Sequence, residues 1–270
     1  MRIIVPIKQV PETSSVKMDP ETGSIVREGS EAVVNPLDLY AIEAALRLRE
    51  THGGRVDVVS MGPRRAEIAV REAIAMGCDG GYLVSDKRFG GADTWATSYV
   101  FAQVIRSLGD FDLIVAGERA TDGDTGQVGP GIASWLDVPC ATYVAHVALD
   151  SAQAGTVTVE RLIEEGHQRL EIRLPALITV VKEIATPRLP TLAGKKRAMQ
   201  ADVPLIDRDG VDVDPTCIGL KGSPTKVVRV RTPKVTRGGR VVDAREGAEA
   251  AVDALLDFLR ERDLVAGGDR

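Results

Sequence analysis

The strongest constraint on the fold is an alternation that runs through the first 130 residues. Short runs of Ile, Val and Leu take turns with longer segments whose apolar residues recur every three or four positions. Runs that are apolar throughout read as strands buried on both faces, and the periodic segments as helices with one buried face. Strands are expected at 2–10, Val56–Met61, Gly81–Ser85 and Leu113–Ala116. Pro6 lacks a ladder donor, so strand one is either irregular there or lies where a ligand approaches. Residues 11–34 are polar and carry turn signals at Asp19-Pro20 and Thr22-Gly23, which suits a small hairpin or a surface loop.

Helix boundaries are legible too. Asn35-Pro36 places a cap and a proline at a helix start, and Gly53-Gly54 ends that helix. Gly62-Pro63 opens a second helix that ends at Gly77. Asp93 or Thr94 caps a third, with Trp95, Tyr99 and Ala102 facing inward. A fourth carries Val128, Ile132, Trp135 and Leu136. Repeated β-α units predict a mainly parallel sheet with helices on both faces and right-handed crossovers.

Beyond residue 138 the pattern changes. Ala141–Leu149, Thr156–Ile163 and His167–Leu174 read as antiparallel strands, followed by a buried strand at Ala176–Val181. Residues 187–240 are rich in Pro, Gly, Lys and Arg, with little periodicity. They read as an arm that packs on a partner, closed by a helix over Arg245–Arg262. This divides the chain into a domain of residues 1–186 and a recognition loop, arm and terminal helix over 187–270.

Ligands in such sheets bind beyond the carboxyl ends of the strands. The fourth strand leads there into Asp122-Gly-Asp-Thr-Gly-Gln-Val-Gly-Pro130 and then into a helix. A glycine-rich turn entering a helix offers free amides to a phosphate, and the helix dipole favours the anion. No Gly-Lys-Ser/Thr follows, so this is no Walker loop, and its glycine spacing differs from the dinucleotide fingerprint.

Other chemistries find little support. The net charge of −5 gives no case for nucleic acid. Cys78, Cys140 and Cys217 lie far apart without metal-ligand spacing, which suits a reducing, cytoplasmic setting. No apolar run approaches a membrane span, and no Ser/His/Asp or Cys/His set stands out. Asp122-Gly-Asp-Thr125 resembles a Mg-dependent phosphatase motif, but its first aspartate lies several residues past the strand.

Several segments, in order and at family spacing, resemble the beta subunit of electron-transfer flavoproteins. They are Val-Pro-Ile-Lys-Gln-Val-Pro (5–11), Asn-Pro-Leu-Asp (35–38), Ser-Met-Gly-Pro (60–63), Ala-Met-Gly-Cys-Asp (75–79), the 122–130 loop, Leu-Pro-Ala-Leu-Ile-Thr-Val (174–180) and Gly-Ser-Pro-Thr-Lys-Val (222–227). The resemblance implies a three-layer α/β/α fold of the adenine-nucleotide alpha-hydrolase-like type. It also implies pairing with an alpha subunit that carries FAD. In housekeeping members the beta site holds AMP as a structural ligand, and in electron-bifurcating members a second FAD. The 122–130 loop and Phe89-Gly-Gly-Ala-Asp-Thr94 look like the FAD-binding groups.

Carried onto matching positions, the resemblance puts Pro6, Asn35, Pro36, Leu37, Asp38 and Met61 at the adenosine. Asp122, Gly123, Asp124, Thr125, Gly126, Gln127, Val128, Gly129 and Pro130 would hold the pyrophosphate, mainly by backbone amides. Asp122 and Asp124 would shape the turn rather than touch phosphate. Asp93 and Thr94 would lie toward the ribityl chain or flavin ring. Leu192, in a recognition loop at 187–197, would anchor an acyl-CoA dehydrogenase. The implied electron route runs from NADH to the beta FAD, then to ferredoxin or flavodoxin and to the alpha-subunit FAD.

Overall fold

The computed structural model describes residues 1–12, 17–18, 25–26, 32–149, 155–228 and 241–265. In chain order, β1 is Arg2–Ile7, β2 Gln9–Pro11, β3 Lys17–Met18, β4 Ile25–Val26 and β5 Ala32–Val34. Then come α1 Pro36–His52, β6 Arg55–Met61, α2 Glu67–Met76, β7 Gly80–Val84, α3 Thr94–Ser107 and β8 Leu113–Gly117. These are followed by α4 Val128–Leu136, β9 Cys140–Ala148, β10 Thr156–Ile163, β11 Gly166–Arg173 and β12 Ala176–Val180. The described chain closes with α5 Leu192–Gln200, β13 Leu205–Ile206, α6 Gly219–Gly222 and α7 Ala248–Arg260.

Nine strands form one sheet in the order β11-β10-β9-β12-β8-β1-β6-β7-β13. From β9 to β13 all neighbours run parallel. β9 was expected among antiparallel strands. It is antiparallel only to β10 and runs parallel to β12, so it joins the parallel sheet to a hairpin wing. The register shifts where β12 meets β9. There Tyr143 adopts φ 57, and its amide donates to Thr179 Oγ1 at 3.2 Å.

Central strands are buried on both faces, and their side chains feed two cores. Ile3, Val5 and Ile7 of β1 join the cluster containing Ile42 and Leu46 of α1 and Val70 and Ile74 of α2. Ile4 joins the other cluster, with Val100 and Val104 of α3 and Ile132 of α4. The result is the three-layer α/β/α arrangement. β1 stays regular through Pro6, which pairs with Val59. β8 pairs with β1 through Ile3 and Ile4, so Pro6 lies past the paired residues on that side.

Two short antiparallel pairs, β2 with β5 and β3 with β4, lie in the 11–34 region; the turn signals at 19–23 fall outside the described residues. Two further expectations need correction. Trp95, in the first turn of α3, is 39% exposed rather than inward and packs against Tyr99 and Trp135, whereas Tyr99 and Ala102 are buried as expected. Residues 192–200 form a helix where a loop was expected; Thr191 caps it by accepting from the Gly194 amide at 2.9 Å. This helix packs on α2, and β13 extends the sheet beside β7, so the segment after 187 covers its own chain.

The chain divides into compact units of Met1–Val230 and Arg231–Arg270. In the second, α7 leaves Val252, Leu255 and Phe258 exposed. No described helix is long and apolar enough to cross a membrane.

Helix α2 approaches the sheet through Gly81. A Cβ there would lie 2.4 Å from Val70 Cγ1 and 2.6 Å from Val58 Cγ2. Gly81→Ala is expected to overpack this layer and cost about 1–3 kcal/mol, read as a lower denaturant midpoint at unchanged slope.

Candidate functional site

From β1 the chain builds outward through β6 and β7, then crosses back to place β8 on the other side of β1. The carboxyl ends of β1 and β8 therefore flank a topological switch point, where such sheets open a crevice. Lys8 follows β1, and residues 118–127 follow β8.

Asn35 and Asp38 knit this point together. The Asn35 amide group donates to Asp38 Oδ1 at 2.9 Å and to the Arg119 carbonyl at 2.9 Å, while its oxygen accepts from the Thr121 amide at 3.1 Å. Asp38 Oδ2 accepts from the Lys8 amide at 2.7 Å. Asn35 stands at the start of α1 but makes no side-chain cap bond to it; its side chain pins the loop after β8 instead. The fit is close: a Cβ on Gly117 would lie 2.5 Å from Asp38 Oδ1. Burial pushes the Asp38 carboxyl up to about 7, against the bonds from Asn35 and Lys8.

The loop presents amides rather than carboxylates. Asp122 is drawn to Lys8, with Oδ1 2.6 Å from Nζ, and Asp124 to Arg119, with Oδ1 3.0 Å from Nε. Asp124 takes the left-handed conformation at φ 52 and Gly126 at φ 63, which bends the backbone into a concave turn. The amides of Thr125, Gly126, Gln127, Val128 and Gly129 have no acceptor among the described residues. Those of Val128 and Gly129 are the first amides of α4, and those of Thr125, Gly126 and Gln127 lead into it. A side chain on Gly123 would meet nothing within 4 Å, whereas one on Gly129 would strike Thr179 Cγ2 at 2.6 Å. Gly129 thus seats α4 on β12. Pro130 follows inside the first turn and has no amide to satisfy.

A second loop joins the first. Thr94 Oγ1 donates to Gln127 Oε1 at 2.7 Å, linking α3 to the entry of α4. Asp93 caps α3 through the Ala96 amide, and its other oxygen accepts from the amide and hydroxyl of Thr225 at 2.9 and 2.8 Å. Burial opposes ionisation of Asp93, but these donors hold its carboxyl below the usual range. Pro36 and Leu37 open α1 at the same edge. Met61 ends β6, half-buried against the second core, and Pro6 is enclosed within β1. Leu192 lies elsewhere, on α5, and is 86% exposed.

Sequence reasoning assigned no role to Lys8, Arg119, Ser223 or Thr225. Their pairing with the loops depends on tertiary contacts, though Ser223 and Thr225 fall inside a segment that carried the resemblance. Ser60, inside another such segment, was also given no role; it is a fully buried hydroxyl near the end of β6 with no partner among the described residues.

The electron transfer flavoprotein domain model matches residues 22–209. The chain belongs to the electron transfer flavoprotein family. It is 42% identical to an electron transfer flavoprotein subunit beta of Thermoanaerobacterium thermosaccharolyticum over 266 residues, covering 98% of this chain and all of that one. It is 41% identical to the caffeyl-CoA reductase-Etf complex subunit CarD of Acetobacterium woodii, again over 98% of this chain and all of the relative. Protein FixA of Azorhizobium caulinodans matches at 41% over 97% of this chain and 95% of its own length. The chain is thus a beta-type subunit of a family that transfers electrons.

The raised pKa of Asp38 makes stability depend on pH with a definite sign. An aspartate with an ordinary value of 3.8 and a folded value of about 7 gains protons on folding between those limits. Its contribution is greatest below pH 4 and is lost as pH rises through about 7. Wild-type unfolding free energy is expected to carry a falling component across that window, at most about 1.4 kcal/mol per pH unit. Asp38→Asn should remove that component in denaturant titrations at several pH values.

Proposed function

We propose that this subunit binds FAD at the switch-point edge and passes electrons as part of a heterodimer with an alpha subunit. The observation that carries the reading is the row of unpaired amides from Thr125 to Gly129 on a turn whose two carboxylates are engaged by Lys8 and Arg119. Such a cradle suits a diphosphate: donors converge and the helix dipole is favourable. Turning Asp122 and Asp124 onto cations also removes the repulsion a phosphate would meet.

Asn35 and Asp38 hold the cradle in place, and both donors of the Asn35 amide group are already used. Their role toward the adenosine is therefore to fix the wall formed by Pro36, Leu37 and the loop. Met61 and Pro6 supply apolar surface at the base. Thr94 and Asp93 set the second loop, on the side where the ribityl chain would run.

FAD held by the 125–129 amides would supply the redox chemistry, two-electron exchange with NADH and single-electron release, and the residues around it would position and tune it. In this reading one electron goes to ferredoxin or flavodoxin. The other goes to the FAD of the alpha subunit and on to an acyl-CoA dehydrogenase, for which the relative named for a caffeyl-CoA reductase complex is supporting evidence. The exposed apolar residues of α7 support a partner chain.

The deciding experiment is a ligand count on the co-expressed, purified heterodimer, followed by anaerobic titration with NADH. Two FAD per heterodimer and bleaching of the flavin absorbance by NADH are expected. One FAD with one AMP, and no reduction by NADH, would instead make this a housekeeping subunit. Mg-dependent release of phosphate from small phosphoesters would revive the phosphatase reading.

A further inference from the structure

The segment 187–200 is held at both ends in a way that simple exposure does not require. At its start, Arg188 is gripped by α1. Its Nε lies 2.7 Å from Glu43 Oε2, its backbone amide donates to the same oxygen at 3.2 Å, and Nη2 donates to Glu50 Oε2 at 3.0 Å. Glu43 is only 2% exposed, so one end of this clamp is planted in the body of the domain.

At the other end, α5 and α2 cap each other's last turns. Arg197 of α5 donates to the carbonyls of Ile74 and Cys78 at 2.6 and 3.1 Å. Arg71 of α2 returns the contact to the carbonyls of Ala198 and Ala201. Between the helices sits Gly194, where a Cβ would lie 2.1 Å from the Ala75 carbonyl oxygen. No side chain fits at this contact without moving α5.

What these anchors present is apolar. Leu189 and Leu192 are each 86% exposed and Met199 82%. Leu189 stands between Pro187 and Pro190, whose rings restrict the backbone on both sides. Lys195 and Lys196 are exposed beside them. Large apolar side chains on a stiff backbone, next to exposed cations, match a partner with an apolar pocket and an acidic rim.

We propose that Arg188, Arg197 and Gly194 are positioning residues that pre-set this segment as a docking edge, and that Leu189 joins Leu192 in the contact with the partner dehydrogenase. The inference rests on the reading that Leu192 meets that dehydrogenase. A loop fixed before binding loses less freedom on docking, so the anchors act on affinity and leave the flavin chemistry alone.

The test uses the intact heterodimer as electron acceptor for a short-chain acyl-CoA dehydrogenase working on butyryl-CoA. Leu192→Ala, Leu189→Ser, Arg188→Ala and Gly194→Ala are each expected to raise the KM for the heterodimer roughly five- to tenfold. kcat and flavin content should not change. Arg188→Lys, which keeps the charge but loses the fork, should recover part of the affinity. Amide exchange across 189–200 should quicken in Arg188→Ala and Gly194→Ala but not in Leu192→Ala. If Leu192→Ala raises KM while the anchor variants and Leu189→Ser do not, docking stands and the positioning proposal falls. If the dehydrogenase does not turn over with the heterodimer, or Leu192→Ala has no effect, the docking reading itself fails.

Discussion

A buried asparagine has four hydrogen-bonding positions to satisfy and little water to help it. In this protein Asn35 fills three of the four by reaching across to the loop after β8 while staying bonded to Asp38. Asp38 in turn takes the amide that follows β1. Three segments distant in sequence thereby share one polar cluster at the mouth of the sheet. Removing any member leaves a buried donor or acceptor unpaired, the costly side of hydrogen bonding. The mouth of the sheet between β1 and β8 is therefore shaped by side chains that bond to one another and to the backbone.

Much of this was legible in the chain because the signals were local. The apolar runs at 3–7 and 113–117 are continuous, as strands covered on both faces must be, while Asp57 and Ser60 interrupt the one at 56–61; Asn35-Pro36, Gly53 and Gly77 mark helix ends by backbone chemistry alone. The concave turn at 122–129 could likewise be expected from its glycines and aspartates. Partnerships were not legible. Nothing local shows that Lys8 meets Asp122, or that Thr225 reaches Asp93, since each joins residues more than a hundred positions apart. Asn35 looked like an ordinary cap because sequence reveals its position but not the direction of its amide. The helix at 192–200 was hidden by its basic, weakly amphipathic composition; Thr191 was the available clue. Trp95 misled because helical spacing gives an angular position but not how fully the first turn of a helix is covered; Tyr99, one turn on, is buried.

Helix α1 connects two regions that have no chemistry in common. Its first turn serves the cradle through Asn35 and Asp38, and its middle and last turns hold Arg188 through Glu43 and Glu50. Seventeen residues of helix thus fix the separation between the switch-point edge and the segment with the exposed leucines. A rigid rod is suited to this, because its length is set by backbone geometry rather than by side-chain packing.

The position of β8 bears on how the chain is made. Its Leu113 pairs with Ile3 on one side and with Ala176 on the other. A nascent chain that ends anywhere before β12 has β8 with an open flank, and α4 lacks the Thr179 against which Gly129 sits. The cradle therefore cannot be complete during most of synthesis, although its own residues emerge well before the end. During that interval the open edge of β8 is an unpaired parallel strand, the sort of surface that ribosome-associated chaperones exist to cover.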